Sequence, residues 1–329
     1  MVTYPIFGFD TTGEEVATAF AKEIQGKNVL VTGTSLNGIG FETARAVAKH
    51  ANLVIITGYS NERLRLSEDA IKKEIPSANV RRLTLDLSSL EAVRKAAAEV
   101  NAYPEPIHIL IHNAAAGFGQ FQLTVDKLEN QLATDHVGPF LLTKLIKPKL
   151  LAAASATFTP RVVFVASGAH ASVFGDGVDL DYLKAPSPNK YNSATVYHQA
   201  KSANILTASE LARRANGAIL AYSLHPGVIL TNIITSSTDP ITIAALQQLQ
   251  ILDNDKKLNT KEIQWKTISQ GAATTIAAAF DPRVAAHSGA YLDDCKVATE
   301  TVSHHAIDPL KAKKLWEVTE EIIGEKFVV

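Results

Sequence analysis

Short β-branched runs alternate along this chain with longer segments of helical periodicity, and this alternation constrains the fold more than any other feature. The runs predicted to be strands buried on both faces are Asn28–Thr32, Leu53–Thr57, Val80–Leu85, Ile107–Ile111, Arg161–Val165 and Ala218–Tyr222. The helical segments between them include Glu42–His50, Asn61–Glu74, Leu90–Val100, Val125–Leu150 and Ala194–Arg214. Such alternation requires right-handed crossovers. It predicts an α/β fold, a doubly wound parallel sheet with helices on both faces.

The 329 residues would allow two domains, but the strands run on without a break in composition. We predict a single domain over residues 27–329, preceded by an N-terminal arm over residues 1–26. After Thr231 the alternation weakens, and Asp239-Pro240 and a polar run at 253–257 bracket an apolar stretch. We interpret the residues around 231–260 as a substrate lid. Periodicity predicts a last helix from Pro309 to Gly324.

Charge and cysteine usage exclude several classes of function. The 32 Lys and Arg residues are balanced by 33 Asp and Glu residues, so no basic excess favours nucleic acid as a partner. Apolar stretches fall short of the roughly 20 residues of a membrane helix, and no signal-peptide pattern opens the chain. Cys295 is the only cysteine, which suits a reducing, cytoplasmic location. The histidines show no metal-binding spacing, so no metal site is predicted.

A glycine-rich turn joins the first predicted strand to the next helix. It runs from Gly33 to Gly40 and contains Gly38. Glycines here let the backbone approach a pyrophosphate, and the helix N-terminus offers free N–H groups and a positive dipole end. An isolated match is more often a tight turn that needs positive φ. Its place in an alternating chain favours a Rossmann dinucleotide site, with contacts from Gly33, Ser35 and Ile39.

The end of the second predicted strand bears on the choice between NAD and NADP. An acidic residue there usually binds the ribose hydroxyls, whereas a basic residue accommodates a 2′-phosphate. This chain has no acid directly at the strand end; Tyr59 and Ser60 carry hydroxyls, and Arg63 follows. The alternative makes Asn61 a helix cap and Arg63 a solvent-exposed residue. We predict NADP as the cofactor, with NAD possible, and contacts from Tyr59 and Arg63.

Tyr197 and Lys201 lie four residues apart, on one face of a predicted helix. A phenol has a pKa of about 10, so it exchanges protons slowly at neutral pH unless a nearby cation stabilises the phenolate. A lysine one turn away can do this and make the phenol a general acid or base. The spacing alone is common on helix surfaces.

Ser167 follows the predicted strand Arg161–Val165, at the carboxyl edge where open α/β sheets bind ligands. Its hydroxyl could hydrogen-bond a substrate carbonyl. Alternatively, Ser167-Gly168 is a turn with a capping serine. Because Ser167, Tyr197 and Lys201 follow one another on the late elements of one sheet, we predict that they form a catalytic set.

Taken together, these motifs resemble those of the classical short-chain dehydrogenases/reductases. The chain also resembles, more loosely, the retinol-dehydrogenase-like and WW-domain-oxidoreductase-like branch of that family. The motifs that carry the family resemblance are Thr32-Gly33 with Gly38-Ile39-Gly40, Asp86-Leu87-Ser88, Asn113-Ala114-Ala115, Ser167, Tyr197, Lys201, and Pro226-Gly227-Val228 with Thr231. The branch rests on Phe7-Gly8-Phe9, Lys190-Tyr191-Asn192, Trp265-Lys266-Thr267, Gln270-Gly271-Ala272-Ala273-Thr274 and Ser288-Gly289-Ala290-Tyr291-Leu292.

The resemblance also assigns roles to residues that spacing alone does not explain. It implies that Asp86 binds the adenine ring and that Asn113 stabilises the central sheet beside the cofactor. It places Val228 and Thr231 at the nicotinamide. Lys201 would bind the nicotinamide ribose as well as act on Tyr197.

The chain departs from the family pattern at three places. Four residues separate Gly33 from Gly38 where three are usual, and Ala115 replaces a glycine. At 135 the family has an asparagine whose main-chain carbonyl is thought to hold a water in the proton relay, and this chain has Asp135. The Asp135 side chain either lies near Lys201 or caps its own helix away from the site.

These residues predict an NAD(P)(H)-dependent oxidoreductase that interconverts a carbonyl, a ketone or an aldehyde, and an alcohol by a Ser-Tyr-Lys mechanism. The apolar residues after Thr231 and the segment from Phe174 to Lys190 could wall a pocket for a lipophilic substrate, or they pack the core or a dimer interface. A non-catalytic NADP(H)-binding regulatory protein is the alternative function. Homo-oligomerisation is possible from the resemblance.

Overall fold

A central sheet runs through the computed structural model, which describes residues 4–172, 174–235 and 239–329. The strands are β1 Asn28–Val31, β2 Leu53–Gly58, β3 Val80–Thr84, β4 Ile109–His112, β5 Arg161–Val165, β6 Leu220–Leu224, β7 Val228–Ile229, β8 Trp265–Lys266, β9 Tyr291–Asp293 and β10 Lys296–Val297. Eight of these described strands form the sheet in the order β10-β9-β6-β5-β4-β1-β2-β3, and β7 pairs with β8 separately. All pairs in the central sheet are parallel except β9 with β10.

Helices connect these strands and cover both faces of the sheet. They are α1 Gly13–Ala19, α2 Ala21–Ile24, α3 Ile39–Ala48, α4 Asn61–Glu74, α5 Leu90–Ala102, α6 Asn130–Leu132, α7 Gly138–Leu151, α8 Leu180–Lys184, α9 Ser193–Ala215, α10 Asn232–Thr235, α11 Pro240–Gln248, α12 Ile268–Phe280, α13 His304–Ile307 and α14 Pro309–Ile323. A π-helical turn, Ala133–Val137, lies between α6 and α7. Every described helix is too short or too polar to cross a membrane.

The predicted fold class is confirmed. The order β3-β2-β1-β4-β5-β6 is that of the doubly wound Rossmann fold, which reverses direction beside β1. All six predicted strands are present, and their ends differ from the predicted ones by no more than two residues. The ends of α9 and α14 each lie within one residue of the predicted ends.

Two hydrophobic cores lie on opposite faces of the sheet because side chains alternate along each strand. In β1, Val29 and Val31 join the core under α1, α3 and α12, whereas Leu30 joins the core under α5, α7, α9 and α14. All three side chains are fully buried. β1, β4 and β5 are buried along their whole length, which explains their largely apolar sequences. β3 lies at the edge of the sheet, where Arg82 and Thr84 are exposed, so the prediction that Val80–Leu85 is buried on both faces is wrong.

The helix predicted over Val125–Leu150 is wrong at its start and in its middle. Lys127 has a left-handed φ of 61° in a turn that precedes α6. The Glu129 side chain then caps α6 by accepting the Leu132 N–H at 2.9 Å. The π-helical turn then interrupts the α-helical hydrogen bonding before α7 begins. Hydrophobic periodicity predicts which face of a helix is apolar, but it does not predict a change from α-helical to π-helical hydrogen bonding.

The N-terminal segment packs onto the sheet rather than standing apart from it. Phe7, Val16, Phe20 and Ile24 are buried in the core that β1 shares with α12. The Phe20 ring meets the Phe7 ring edge to face, with 5.6 Å between centroids. Residues 1–3 of the predicted arm and residues 236–238 of the predicted lid lie outside the described residues. The division into arm and domain stays a prediction.

Replacing Phe20 with alanine tests how tightly this segment is coupled to the fold. Phe20→Ala removes a fully buried ring and leaves a cavity, so we expect the free energy of unfolding in urea to fall by about 3–5 kcal/mol. Ile6→Ala is the matched control, since Ile6 is 89% exposed and its loss should change stability little. Equal, small effects of the two substitutions would mean that the segment unfolds separately from the sheet.

Candidate active site

A cavity of about 1150 Å³ opens along the carboxyl edge of the parallel strands. Every residue predicted to bind the cofactor or act on the substrate lines it: Gly33, Ser35, Ile39, Tyr59, Arg63, Asp86, Asn113, Ser167, Tyr197, Lys201, Val228 and Thr231. These residues come from the loops and helices that follow separate strands, and the fold brings them to one edge. The sequence motifs predicted that these residues would lie together, and they line one cavity. The role of each residue stays a prediction.

The glycine turn is held by side chains at the end of β4. The Asn113 amide nitrogen donates to the carbonyl oxygens of Thr32 and Gly33, both at 3.0 Å. In return, Thr32 Oγ1 accepts the N–H groups of Asn113 and Ala114, also at 3.0 Å. A Cβ on Gly33 would lie 2.6 Å from Ala114 Cα, and one on Gly40 would lie 2.3 Å from Asn113 Nδ2. Only glycine therefore fits at either position.

The start of α3 presents a backbone cradle that suits a pyrophosphate. Its N-cap is Gly38, which supplies no side-chain hydrogen bond to the free N–H groups of the first turn. Ser35 and Ile39 line the cavity beside it. A loop from the far side of the cavity contacts this turn, because Asn232 Nδ2 donates to the Leu36 carbonyl at 3.2 Å. The residues present fit a dinucleotide lying between the two loops.

The end of β2 places Tyr59 and Arg63 together at the rim. Arg63 Nη1 donates to Tyr59 Oη at 3.0 Å. Across the described part of the chain, Arg63 has no carboxylate partner, which leaves its charge available to an anion. The helix cap here is Ser60, whose Oγ accepts the Arg63 N–H at 3.3 Å, so Asn61 is not the cap. Further round the cavity, Asp86 accepts the Ser88 N–H at 2.9 Å.

Lys201 lies between Tyr197 and the π-helical turn. Its Nζ is 5.2 Å from the centre of the Tyr197 ring and 2.8 Å from Asp135 Oδ2. The other Asp135 oxygen accepts the Ala116 N–H at 2.7 Å. Burial lowers the pKa of Lys201, but the Asp135 charge and then Tyr197 outweigh it, so the pKa is raised from 10.5. Burial raises the pKa of Asp135, and the Lys201 charge and the Ala116 N–H oppose that shift, so these contacts favour an ammonium paired with a carboxylate.

Ser167 lies at the end of β5 and has a capping role as well as a place in the cavity. Its Oγ accepts the Ala169 N–H at 3.2 Å and so caps a short 3₁₀ helix. Two histidines that sequence reasoning did not single out hold the loop. His170 Nδ1 donates to the Ser167 carbonyl at 2.7 Å, and His225 Nδ1 accepts the Gly168 N–H at 3.0 Å. The only signal for His225 is its place directly before Pro226-Gly227.

One end of the cavity is apolar. The Phe118 ring packs against Tyr197 with 4.8 Å between ring centres. The predicted lid supplies most of the rest, and its cavity-lining apolar residues are Ile233, Ile234, Leu246, Leu249 and Ile251, with Ile263 just beyond. From the segment 174–190, none of the described residues lines the cavity, so that segment does not wall the pocket.

Comparison with known proteins decides the family. A family model described as short chain dehydrogenase matches residues 27–175. The chain is 34% identical over 322 residues to the short-chain dehydrogenase TIC 32 B, chloroplastic, of Brassica napus, and the match covers 96% of this chain and 94% of that protein. The chain belongs to the short-chain dehydrogenase/reductase family.

Other members of the family support the retinol-dehydrogenase-like branch. The chain is 32% identical to retinol dehydrogenase 12 of Mus musculus, over 92% of this chain and 88% of that protein. It is 35% identical to the WW domain-containing oxidoreductase of Danio rerio, over 93% and 70% of the two chains. A crystal structure of an uncharacterized protein from Mycobacterium paratuberculosis matches with a TM-score of 0.67 and 26% identity, over 94% and 98% of the chains. The cytoplasmic location stays a prediction.

Of the three departures from the family pattern, Asp135 is the one that lies beside the predicted catalytic residues of this short-chain dehydrogenase/reductase. At the position where the resemblance to the family implies an asparagine, Asp135 lies in the π-helical turn and is 2% exposed. Its carboxylate contacts Lys201 directly, so the alternative that it caps its own helix away from the site is wrong. π-Helical turns are frequent at functional sites, where they redirect a side chain.

Gly40→Ala tests whether the cradle is as tightly built as these contacts indicate. Alanine normally stabilises a helix relative to glycine, but here the new methyl would displace Asn113 and the Gly33 carbonyl. We expect unfolding stability to fall by about 1–3 kcal/mol and NADPH affinity, followed by nicotinamide fluorescence, to fall by about tenfold or more. Gly8→Ala, which meets no atom within 4 Å, is the control. Unchanged NADPH affinity in Gly40→Ala would contradict the placement of the pyrophosphate.

Proposed function

We propose that this protein is an NADP(H)-dependent oxidoreductase that interconverts a ketone or aldehyde with an alcohol on a lipophilic substrate. The observation that carries the proposal is that Ser167, Tyr197 and Lys201 line one cavity together with the glycine turn and the apolar residues of the predicted lid. Family membership supports the oxidoreductase class. The motifs alone do not decide the substrate.

The chain's own groups supply proton transfer and orientation. When bound, a nicotinamide cofactor supplies the hydride in reduction and accepts it in oxidation. In reduction Tyr197 donates the proton that the carbonyl oxygen takes up, and in oxidation it takes that proton back from the alcohol. Ser167 holds the same oxygen by a hydrogen bond, and solvent returns the proton to Tyr197. Lys201 holds positive charge beside the phenol, and its proposed second role is to bind a hydroxyl of the nicotinamide ribose.

The apolar end of the cavity favours a lipophilic substrate. Leu246 is buried, and Ile233, Leu249 and Ile251 present partly exposed side chains to the cavity. Burying such surface with a hydrocarbon group gains about 25 cal/mol per Å². A polar substrate would leave that surface without compensation. Oxidation of alcohols and reduction of ketones and aldehydes of increasing chain length, followed by nicotinamide absorbance, tests this directly.

Removing the Tyr197 hydroxyl separates turnover from binding. Tyr197→Phe keeps the ring against Phe118 and removes the proton donor, so we expect kcat to fall by about 10² or more while NADPH affinity changes less than twofold. The matched control is Tyr103→Phe, which makes the same chemical change outside the cavity. Parent-level turnover in Tyr197→Phe would exclude Tyr197 as the proton donor. NADPH binding with no turnover on any carbonyl or alcohol would instead favour the non-catalytic regulatory binder.

Arg63 decides the cofactor preference. Its guanidinium lies at the strand end, without a carboxylate partner among the described residues. Arg63→Glu places a negative charge where the 2′-phosphate is expected. We predict that the affinity for NADPH falls about 100-fold, whereas the affinity for NADH changes by about threefold or less.

Arg65→Glu is the control for this charge reversal. Arg65 lies on the same helix, pairs with Asp69 at 2.8 Å and does not line the cavity. It should change neither affinity. Equal losses for NADPH and NADH in Arg63→Glu would show that Arg63 does not read the 2′-phosphate.

A further inference from the structure

The ion pair between Lys201 and Asp135 changes the charge of the proposed proton-transfer site. An asparagine at 135 would leave the site with one positive charge, whereas Asp135 and Lys201 together carry none. Both side chains are almost completely buried, at 2% and 3% exposure, so water screens the pair poorly. The second Asp135 oxygen is taken by the Ala116 N–H, which satisfies the carboxylate in its ionised form.

The other titratable groups around this pair are few in the described structure. Tyr197 faces Lys201 from one turn earlier on α9. Glu129, at the N-terminus of α6, is an acid on which the Asp135 charge acts: burial first, and then that charge, raise the pKa of Glu129 to about 7. His136 neighbours Asp135 in sequence but points away, since its ring nitrogens bond to Thr319 at 2.8 Å and Thr207 at 3.4 Å.

We infer that Asp135 is a positioning residue that holds the Lys201 ammonium and cancels its charge beside Tyr197, which favours proton donation in carbonyl reduction over proton removal in alcohol oxidation. The inference rests on the proposed function and specifies its favoured direction. A phenol is the form that donates a proton to a carbonyl oxygen, whereas alcohol oxidation needs the phenolate. A lone ammonium stabilises the phenolate, and a neutral ion pair does so far less.

The pH dependence of alcohol oxidation in Asp135→Asn tests the inference. The asparagine keeps an oxygen for Lys201 or the Ala116 N–H but removes the negative charge, so the ammonium acts on Tyr197 uncancelled. We expect the midpoint of kcat for oxidation at saturating substrate to move to lower pH by about one unit. Asp135→Glu restores the charge and should return the midpoint toward the parent value. An unchanged or higher midpoint in Asp135→Asn overturns the inference.

Two matched controls separate this electrostatic effect from a structural one. Glu210→Gln removes another buried, ion-paired carboxylate from α9, one that bonds to Arg213 and Arg214, and it should leave the midpoint in place. Glu129→Gln removes the neighbouring acid that titrates near neutrality. A midpoint shift as large in either control as in Asp135→Asn would show that the pH profile reports general destabilisation or Glu129, and would overturn the assignment to Asp135.

A second readout makes the result independent of turnover. Tyrosinate absorbance, with the Tyr197→Phe signal subtracted, follows ionisation of that phenol directly and should move to lower pH in Asp135→Asn. If no substrate is turned over, the proposed function fails while this measurement still tests Asp135. Should Asp135→Asn not fold, Asp135→Glu tests the inference, because it keeps the charge and should keep the parent midpoint. A lower midpoint in Asp135→Glu, or no absorbance shift in a folded Asp135→Asn, overturns the inference.

Discussion

The hydrogen bonds of the Asn113 side chain hold together the two loops on which the rest of the site depends. The strand order reverses beside β1, so the loops after β1 and β4 diverge and leave a crevice. A crevice binds a ligand only if its walls are fixed. Asn113 fixes them by donating both amide protons to the carbonyls of Thr32 and Gly33. These hydrogen bonds bring the two loops so close that a Cβ at Gly33 or Gly40 would collide with Ala114 or Asn113. Glycine is therefore required at both positions by the contact between the loops, and not only by a bound phosphate.

The Asp135–Lys201 pair joins folding and chemistry in a single contact. Taking two charges out of water costs several kcal/mol per ion, and breaking such a pair typically costs about 3–5 kcal/mol. The pair is tolerable because the Ala116 N–H completes the carboxylate and because the π-helical turn brings Asp135 to α9. The contact that ties that turn to α9 is also the one that sets the charge beside Tyr197. A substitution here therefore needs a readout that distinguishes lost stability from altered chemistry.

Much of this arrangement could be read from the sequence because it rests on local patterns. The run Arg161–Val165 is a strand with the predicted ends, since its last four residues are apolar and Ser167-Gly168 follows soon after. The Asp135 contact could not be read in this way, because its partner lies 66 residues along the chain and only packing brings the two together. The alternative that Asn61 caps the helix after β2 is wrong, because Ser60 and Asn61 both suit a cap and one residue of register decides between them.

The loop that carries Ser167 places an acid limit on the same site. His225 accepts the Gly168 N–H through Nδ1, which it can do only when that nitrogen carries no proton. Burial lowers the pKa of His225 to about 4 and also lowers that of His170. A histidine whose pKa is lowered by folding stabilises the folded state fully above its unfolded pKa of about 6.5, and this contribution is lost as the pH falls toward the folded value. Protonation of His225 at low pH therefore breaks the hydrogen bond that holds the Ser167 loop. The charge on Asp135 acts on proton transfer by Tyr197 instead, so the two effects limit the site at different ends of the pH range.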